Sequence, residues 1–444
     1  MNQTAVFLKE IDALWRKEIP ANVLHRAGQA LADHIAVACA GARAEQERLQ
    51  KFMAFAGAEA GDSTAIGLQK TTLPEAVFLN GFSAHALDYD DGTNAGIIHL
   101  GSPVFAVLLP LAERYAKTVA EVLRAAVIGY ETSFTVALTI QPMHKALGWH
   151  ATGTCGILGA AIAASYLLDF TEEERRNAFE AAAASATGML SVLDDGSELK
   201  PYNAAKAAAM ALSALRLGKA GFRGNPDPLG SYRGFLRMMS GQEGLELKPL
   251  LYGGTYAMEK AYVKPYASCR YTHPSVEAAI RLRDQVRTEE VSRIDVRTYS
   301  LAVSGHEHTE ILGPGSAKMS IPYATACGLL FGKAGLLEFT EEAVSGAEVL
   351  DLTKKVHVEA DAEMSAAFPK VQTAEVTVRT TDGRSFTERV NFPKGEPENP
   401  LNEEEFRARY DGLMEFAGRK EAAEIFALLQ NGGTPVRMIM EKLI

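Results

Sequence analysis

The segment GILGAAIAASYLL, residues 156–168, constrains the fold most, because it has the pattern of a helix that is small or apolar on nearly every face. A helix on a protein surface keeps an apolar stripe on one side only, whereas a helix that is apolar all round is buried. We therefore predict that this segment lies inside the protein with other helices close to it on all sides.

Most of residues 1–260 shows a helical pattern with recognisable helix ends. Ala and Leu recur at three- and four-residue spacing in VLHRAGQALADHIAVACAGA, and Gly41 is predicted to end that helix. Ser102 is predicted to cap the next clear helix, with Pro103 at its first position. Two later helix starts have the spacing of a capping box: Thr118 with Glu121, and Thr171 with Glu174.

Beyond Lys264 the pattern changes from helices alone to strands mixed with helices. Four segments have the composition of strands: VSRIDVRTYSLAV (291–303), KKVHVEA (354–360), TAEVTVRT (373–380) and SFTERV (385–390). Asp382-Gly383 predicts a hairpin turn between the last two of them. Helical patterns at residues 273–286 and 320–333 lie among these strands.

The order of these patterns predicts the domain organisation. We expect a mainly α fold in which residues 1–262 form a large all-helical domain and residues 263–397 form a smaller inserted α+β domain. A Pro- and Gly-rich linker then leads into residues 398–444, whose helices most simply return to the first domain. A chain of 444 residues is long enough to form two cores.

Composition argues against several classes of partner. The chain has 45 Lys and Arg against 55 Asp and Glu, a net charge of −10, which argues against binding to nucleic acid or to an anionic membrane. Its four cysteines are widely spaced and form neither a CxxC pair nor a disulfide framework. The sequence shows neither the pattern of a signal peptide nor an apolar run long enough to span a membrane. We therefore expect a cytoplasmic protein.

The stretch HALDYDDGTNAGIIHLGS, residues 85–102, places three aspartates where an apolar helix is expected to end. Acidic residues there oppose the helix dipole, at a cost of about 0.3–1 kcal/mol each. Asp88 is expected to face inward, where burial raises the pKa of a carboxyl toward the range of a general acid or base. A solvated acidic turn is the alternative for Asp88 and the preferred interpretation for Asp90 and Asp91. His99 follows closely enough to reach the same site, although a lone histidine is often structural.

Two further segments place a histidine or a lysine at the start of a helix. In LGWHATGTCGILGAA, residues 147–161, His150 precedes a glycine-rich turn into a helix, a place where backbone amides favour a bound carboxylate or phosphate. Lys200 stands in a polar loop just before an Ala-rich helix. It either neutralises a substrate carboxylate, acts as a base once desolvated, or is an exposed surface lysine.

The last segment of this kind, YVKPYASCRYTHPSVEAA at residues 262–279, spans the predicted junction of the two domains. Lys264, Arg270 and His273 are three potential cations within ten residues of otherwise apolar or small character. Domain junctions are favoured sites for ligand pockets, which makes these side chains candidates for binding an anion. His273-Pro274 also makes a good helix start, which is the structural alternative for that histidine.

Neither a metal nor an organic cofactor is predicted. The aspartates at 88–91 lack the spacing of a calcium loop, and no HExxH motif occurs. The sequence HEH at residues 306–308 is interpreted as a short surface loop. No GxGxxG follows a strand, so a nicotinamide or flavin has no support. Acid–base chemistry by side chains remains, on a substrate whose negative charge matches the lysines and Arg270.

Taken together and in this order, the segments resemble the MmgE/PrpD family. The resemblance extends from about residue 5 to 420 and rests on these motifs: HALDYDD with a downstream histidine, GSPVFAVLLPLAE, GWHATGTCGILGAA, the Lys200 segment, VKPYASCRYTHPSVEAA, KMSIPYA and PKGEPENPLNEEEF. The family includes 2-methylcitrate dehydratase, cis-aconitate decarboxylase and iminodisuccinate epimerase. The resemblance implies a large all-helical domain, a smaller α+β lid domain, a homodimer, and a metal-independent active site between helical domain and lid.

The resemblance also implies which residues form that site. Those expected to be catalytic are Asp88, His99, His150, Lys200 and His273, and those expected to bind substrate are Thr93, Lys264, Arg270 and Tyr323. Cys269 is the alternative to His273 at the family's hinge position. Two departures from the family pattern stand out: Asn203 replaces a histidine common in dehydratases and decarboxylases, and the stretch from Gly92 to Ile98 carries an extra residue relative to the decarboxylase.

The chemistry shared by the family is proton movement at a carbon next to a carboxylate. The resemblance therefore implies a lyase, a dehydratase or decarboxylase, that acts on a small di- or tricarboxylic acid. Epimerisation of an amino-dicarboxylate such as iminodisuccinate is the alternative, and a catalytically silent carboxylate-binding protein is the second alternative. His99 and His150 are expected to transfer protons, with Asp88 orienting or tuning a histidine, and the lysines and Arg270 to hold the substrate's carboxylates.

Overall fold

The computed structural model describes residues 2–55, 60–193 and 197–444, and it is mainly helical, as expected, with a four-stranded mixed sheet in its second part and a two-stranded hairpin in the part predicted to be all-helical. The helices of the first part are Gln3–Arg16, Ala21–Ala44, Gln46–Phe55, Leu73–Ala86, Gly101–Arg114, Val119–Ile140, Met143–Ala146, Ala151–Thr154, Gly156–Leu167, Glu172–Ala184, Lys200–Lys219 and Phe235–Ser240. A short hairpin pairs Ser63–Thr64 with Lys70–Thr71.

The helix Gly156–Leu167 forms the centre of this helical part, and each of its residues is buried. It packs against four longer helices, Gly101–Arg114, Val119–Ile140, Glu172–Ala184 and Lys200–Lys219, and against the short helix Ala151–Thr154 that precedes it. A side chain at Gly159 would collide with the Ser133 hydroxyl and the Gly129 carbonyl of the neighbouring helix. The prediction of a helix buried on all sides is confirmed, because small residues let its neighbours approach from every direction.

Some predicted helix ends are confirmed and others are wrong. Both capping boxes are present, at the starts of Val119–Ile140 and Glu172–Ala184. Gly41 does not end its helix, which continues to Ala44. A side chain at Gly41 would collide with the carbonyl oxygen of Ser83, so the glycine allows two helices to touch. The cap predicted at Ser102 is also wrong, because the helix already begins at Gly101.

Alanine at Gly41 is expected to lower the free energy of unfolding by about 1–3 kcal/mol, because the added methyl group overpacks the contact with Ser83. Gly28 lies in the same helix, and a side chain there would meet no atom closer than 4.0 Å. Gly28→Ala is therefore the matched control, and it should raise stability by about 0.5–1 kcal/mol through helix propensity. Urea denaturation followed by circular dichroism measures both. Equal effects of the two substitutions would contradict the packing argument.

The second part combines a four-stranded sheet with short helices. In spatial order the strands are Val356–Ala360, Val291–Thr298, Ala374–Thr380 and Ser385–Val390, with the first pair parallel and the other two antiparallel. The helices are His273–Leu282, Ser300–Val303, Pro314–Met319, Ile321–Phe331, Glu341–Val344, Ala347–Thr353 and Ala362–Ala367. A strand is present in each of the four predicted segments, and Asp382-Gly383 turns the chain between the last two. The first strand along the chain is shorter than predicted, because it ends at Thr298 and Ser300–Val303 forms a helix.

The sheet has one buried and one charged face. Ile294 and Val296 alternate with exposed or half-buried charged residues along their strand, and Val376 and Val378 alternate with exposed or half-buried charged and polar residues on the next strand. The helix His273–Leu282 packs on strands of this sheet and on the helix Ile321–Phe331. This packing fixes the start of His273–Leu282, and with it the preceding residues that face the helical part.

The last helices contact the first part of the chain. They are Glu403–Phe416, Ala422–Gln430 and Val436–Met440. The first of them packs on Ala21–Ala44 and the last on Gly101–Arg114. The domain limits at 262/263 and 397/398 stay a prediction. Among the helices that the structure describes, none is long and apolar enough to cross a membrane.

Candidate active site

One cleft is lined by side chains from both parts of the chain. Its polar lining includes Thr93, His99, Lys145, His150 and Lys200 from the helical part, and Cys269, Arg270 and His306 from the sheet-containing part. Five of the nine residues predicted for the site are therefore brought together here: Thr93, His99, His150, Lys200 and Arg270.

Asp88 lies behind this cleft at the end of the helix Leu73–Ala86, and its backbone takes a left-handed conformation with φ of 51°. Aspartate is one of the few residue types that enter this region readily, so it turns the chain out of the helix. Asp88 Oδ1 lies 2.6 Å from Lys200 Nζ and 2.8 Å from Lys264 Nζ. Lys264 also donates to the Asp88 carbonyl oxygen at 2.7 Å.

The charge state of Asp88 differs from the expectation. Burial alone raises the pKa of this carboxyl, but Lys200 and Lys264 bring the pKa of Asp88 well below its ordinary value. The same contact raises the pKa of Lys200 against the lowering effect of burial. Asp88 is therefore an ionised partner of two lysines, and the raised pKa expected from burial is wrong because the sequence did not show that both lysines reach it.

Asp90 and Asp91 are buried, so the interpretation as a solvated turn is wrong for both. Asp90 accepts hydrogen bonds from His85 Nδ1, at 2.9 Å, and from the Ser102 hydroxyl. Asp91 accepts from the backbone N–H of Gly101 at 2.8 Å and from the Tyr130 hydroxyl at 2.6 Å. Burial raises the pKa of Asp91 to about 6. These two aspartates hold the start of the helix Gly101–Arg114 against the end of Leu73–Ala86.

The hydrogen bond made by Nδ1 of His99 fixes the tautomer of its neutral ring. Its Nδ1 donates to the carbonyl oxygen of Asp91 at 2.8 Å and lies 3.3 Å from Asp90 Oδ2. Because Nδ1 carries the hydrogen in the neutral ring, Nε2 carries the lone pair. This Nε2 lies 3.9 Å from Asp88 Oδ1. His99 is therefore held as a proton acceptor.

His150 is held in the opposite tautomer. Its Nδ1 accepts a hydrogen bond from Asn203 Nδ2 at 3.0 Å. The orientation of the Asn203 amide follows from its other partners, since Nδ2 also donates to the Met189 carbonyl at 3.2 Å and Oδ1 accepts from Lys206 Nζ at 3.3 Å. Burial, with His85 and Lys200, keeps the pKa of His150 well below its usual range. The neutral ring therefore carries its hydrogen on Nε2 and is a proton donor.

A third histidine, His85, lies beside His99 and His150 and was not among the residues predicted for the site. The ring centre of His85 lies 4.6 Å from that of His99 and 5.9 Å from that of His150. Burial lowers the pKa of His85 to about 4 against the opposing effect of Asp90, and its Nε2 has no partner among the described residues. The signal was present, because His85 lies three residues before Asp88 and one helical turn places both at the same end of the helix.

The cations of the cleft differ in how far they are already neutralised. Lys200 pairs with Asp88, and Arg270 pairs with Glu396, with its Nε 2.8 Å from Glu396 Oε1. Lys145 donates to the Tyr271 hydroxyl at 2.9 Å and has no carboxylate partner among the residues that the structure describes. Burial lowers the pKa of Lys145 to about 8. Lys145, which the sequence analysis missed, is therefore the cation most available to a substrate carboxylate.

Four predicted residues lie outside the cleft lining of the described chain: Asp88, already described, and Lys264, His273 and Tyr323. Lys264 is fully buried against Asp88, and burial lowers its pKa. His273 Nδ1 accepts from Arg270 at 2.6 Å, so it positions that guanidinium rather than facing a ligand. Tyr323 donates to the Glu338 carbonyl at 2.8 Å inside the second part. At the hinge position left open between Cys269 and His273, Cys269 is the residue that lines the cleft.

The helix Glu403–Phe416 contacts the segments that carry Asp88 and Lys264 through Arg409. Arg409 donates to the Lys264 carbonyl at 2.6 Å and to the Tyr89 carbonyl at 2.7 Å, and it forms an ion pair with Asp33. Through these hydrogen bonds Arg409 links the segment that carries Asp88 to the segment that carries Lys264. No local pattern around Arg409 indicated this contact, which joins positions more than 140 residues apart.

Within the described ranges, the residues placed to hold a metal ion are His85, Asp90 and His99, whose ligand atoms lie within 4.8 Å of one another. His85 Nδ1 already bonds to Asp90, and His99 Nδ1 bonds to the Asp91 carbonyl. A metal ion bound through these two nitrogens would have to replace these bonds.

The fold and the cleft define a mainly helical protein with an α+β part, in which histidines and cations from both parts line one cleft. The chain belongs to the MmgE/PrpD family: residues 7–248 match the MmgE/PrpD N-terminal domain and residues 266–431 match the C-terminal domain.

Several curated relatives are similar along most of the chain. A cis-aconitate decarboxylase-like protein of Aspergillus oryzae is 27% identical over 93% of this chain and 90% of its own length. The cis-aconitate decarboxylase of Aspergillus terreus is 27% identical over 87% of this chain and 84% of its own length. The human cis-aconitate decarboxylase is 25% identical over 78% of this chain and 74% of its own length. These relatives support an enzyme of lyase type.

Proposed function

We propose that the protein is a lyase that moves a proton at a carbon next to a carboxylate of a small di- or tricarboxylic acid. The observation that carries this proposal is the pair of opposite tautomers in one cleft. Nε2 of His99 accepts a proton and Nε2 of His150 donates one, and the two ring centres lie 6.5 Å apart. A base and an acid at this spacing can act on neighbouring atoms of one small substrate.

The roles follow from these protonation states. In a dehydration, His99 removes the proton from the carbon, and the resulting charge moves onto the adjacent carboxylate. Lys145 and Lys200 lie in the cleft lining and stabilise this charge electrostatically. His150 then gives its proton to the departing hydroxyl, which leaves as water. In a decarboxylation, carbon dioxide leaves first, and His150 protonates the carbon that keeps the electron pair.

The substrate class follows from charge and from the relatives. Lys145 lacks a carboxylate partner among the described residues, and Thr93 Oγ1 is buried without a hydrogen bond, so both remain available to an anion. Three of the relatives named above carry cis-aconitate in their names. Cis-aconitate is therefore the first compound to test, and 2-methylcitrate is the second.

Epimerisation of an amino-dicarboxylate is the second candidate. It is favoured by Asn203, which takes a position where the family resemblance leads us to expect a histidine in dehydratases and decarboxylases. Asn203 bonds Nδ1 of His150 and places no titratable group there. A reaction that only returns a proton to carbon needs no further acid for a leaving group.

Proton NMR in deuterated water tests the proposal with cis-aconitate, 2-methylcitrate and an amino-dicarboxylate. A decarboxylase is expected to convert cis-aconitate to a product with deuterium at the protonated carbon, and a dehydratase is expected to convert 2-methylcitrate to an unsaturated acid that has lost a C–H proton and water. An epimerase would exchange the proton for deuterium and invert the configuration of that carbon without releasing water or carbon dioxide. A protein that binds a carboxylate, shown by calorimetry, but causes neither conversion nor exchange would contradict both assignments and leave the silent alternative.

Asn203→Asp is expected to slow turnover about tenfold to hundredfold near neutral pH, because a carboxylate accepts from Nδ1 and moves the hydrogen of His150 away from Nε2. The rate should recover as the pH falls, since the imidazolium ring carries hydrogens on both nitrogens. Asn203→Leu removes the hydrogen bond without imposing a tautomer, and it should show no recovery in acid. Identical pH–rate profiles for the two variants would contradict the tautomer assignment.

The quaternary and domain expectations belong to the same proposal. A lid formed by residues 263–397 is supported by the cleft lining, since Cys269, Arg270 and His306 reach it from that part. Light scattering of the purified protein tests the proposed homodimer, and limited proteolysis tests the domain limits.

A further inference from the structure

The cleft contains a cysteine–histidine pair that the proposed reaction does not use. Cys269 Sγ lies 3.5 Å from His306 Nε2, within hydrogen-bond distance for sulfur. His306 Nδ1 donates to the Ser304 carbonyl at 2.9 Å, so its Nε2 carries the lone pair that accepts the thiol proton. The surface loop expected at residues 306–308 is wrong for His306, which is buried and lines the cleft.

Cys269 differs from the other cysteines of the chain in exposure and charge. Cys39, Cys155 and Cys327 are buried, whereas Cys269 is partly exposed. Burial raises the pKa of Cys39 and of Cys155 to about 12. For Cys269 burial also raises the pKa, but His306 outweighs it and brings the value to about 7. A thiol with a histidine partner, access to a cleft and a lowered pKa has the properties of a nucleophile.

The surroundings of the thiol favour an anionic ligand. Lys145 and Lys200 line the same cleft, and Lys145 has no carboxylate partner within the described residues. The hydroxyl of Thr93 also lines the cleft, is 1% exposed, and has no hydrogen-bond partner in the described chain. A buried donor without a partner indicates that a ligand supplies the missing acceptor. A carboxylate bound by these groups would lie in the same cleft as Cys269.

We propose that Cys269 and His306 form a nucleophilic site that α,β-unsaturated carboxylates with a disubstituted double bond, such as fumarate monoesters, alkylate, blocking the cleft covalently. Cis-aconitate has a trisubstituted double bond, which hinders attack by a thiol, so the proposed substrate is not an alkylating agent of this kind. The thiol proton passes to His306 Nε2, and the thiolate sulfur bonds to the β-carbon of the conjugated double bond. The π electrons move to the α-carbon and its carboxylate, and this carbon takes a proton from the His306 imidazolium. The sum is addition of S–H across C=C, without an oxidant or reductant. The inference goes beyond the proposed lyase reaction and does not depend on it.

The probes are monomethyl fumarate, an anion, and dimethyl fumarate, its neutral analogue. Wild-type protein is reacted with each, and the modified cysteines are identified by peptide mass spectrometry, with glutathione as the reference thiol. We expect Cys269 to be modified before the three buried cysteines. Relative to glutathione, Cys269 should favour the anion over the neutral ester by about tenfold or more, because Lys145 and Lys200 attract it.

His306→Gln tests the partner. It is expected to slow alkylation of Cys269 at pH 7 by about tenfold, because a thiol at its ordinary pKa is only a few per cent thiolate at that pH. His308→Gln is the matched control. His308 lies in the same loop but contacts Ser316, and its replacement should leave the alkylation rate unchanged. Thermal denaturation shows whether each variant is folded.

The pH dependence of wild-type alkylation keeps the test valid if His306→Gln does not fold. The charged and titratable groups that act on Cys269, or on which it acts, are His306, Lys200, Asp88, Lys145, Lys264, Tyr271 and Tyr299. Together these groups are expected to place the midpoint of the pH–rate profile for alkylation of Cys269 near pH 7. A midpoint at pH 8.5 or above, equal modification of all four cysteines, or an anion preference no greater than that of glutathione would each overturn the proposal.

Discussion

Replacement of His99 by alanine is expected to lower turnover by at least about a hundredfold, equivalent to about 2.7 kcal/mol in the barrier. The bond from His99 Nδ1 to the Asp91 carbonyl leaves the lone pair of the neutral ring on Nε2, which makes Nε2 the proposed base. His150→Ala is expected to lower turnover by a similar factor. The two variants should nevertheless fail at different steps.

Hydrogen exchange separates the two steps on a substrate that loses a C–H proton. Without His99 the proton is not removed, so both product formation and incorporation of deuterium should disappear. Without His150 the proton is still removed and returned, so exchange should persist while the hydroxyl does not leave. Proton NMR of the recovered substrate in deuterated water measures both quantities in one experiment.

His25→Ala is the control for this pair, because His25 is exposed and pairs with Glu403 away from the cleft. It should leave turnover unchanged. Addition of free imidazole to the His99→Ala protein should restore part of the exchange, since the removed ring leaves space beside the substrate. The assignment of base and acid would be contradicted if His99→Ala kept full activity. It would also be contradicted if exchange disappeared in His150→Ala but persisted in His99→Ala.

Local patterns predicted the helices well where the cause lies within one helix. The helix Gly156–Leu167 could be identified as buried because its composition is small on all faces, and the capping boxes depend on residues three positions apart. Gly41 and Ser102 were misread because their roles depend on distant neighbours. Gly41 makes room for the backbone of Ser83, and Ser102 bonds to Asp90. Neither contact leaves a trace in the sequence around them.

The same distinction between local and distant causes explains which features of the site could be predicted from the sequence. The motifs led to Asp88, His99, His150 and Lys200, because glycine, histidine and charge beside an apolar helix are unusual locally. Protonation states depend on partners from elsewhere, and those partners were not visible. Asn203 fixes His150 from 53 positions away, and Lys264 reaches Asp88 from 176 positions away. The sequence therefore indicated which residues lie close together in the site. Their protonation states could be assigned only from the contacts in the structure.

Asp88 is the clearest case, because it balances two buried lysines. Lys264 is fully buried and Lys200 nearly so, and both donate to the same oxygen, Asp88 Oδ1. Since the folded pKa of Asp88 lies well below its ordinary value, its contribution to stability is present above that ordinary value. It is lost as the pH falls through the folded value, where the carboxylate becomes protonated. The lysines then remain buried without a counter-charge.

Asp88→Asn is accordingly expected to lower the free energy of unfolding by about 3–5 kcal/mol, the cost of removing one partner from a buried ion pair. Lys264→Met should cost less, because Lys200 still neutralises Asp88. The double variant should be more stable than the sum of the two losses predicts, by about 0.5–3 kcal/mol. Lys264→Met removes one of the two lysine charges that Asp88→Asn leaves without a counter-charge. Urea denaturation at neutral pH measures all three.

The control is Asp351→Asn, which breaks an exposed pair with Lys354 and should change stability little. Acid denaturation adds an independent measurement, because Asp88→Asn should remove part of the stability that the wild type loses at low pH. Additive losses in the double variant would show that Asp88 and Lys264 do not act as a pair. A loss for Asp88→Asn as small as that for Asp351→Asn would show that the buried lysines do not depend on Asp88 for their charge balance.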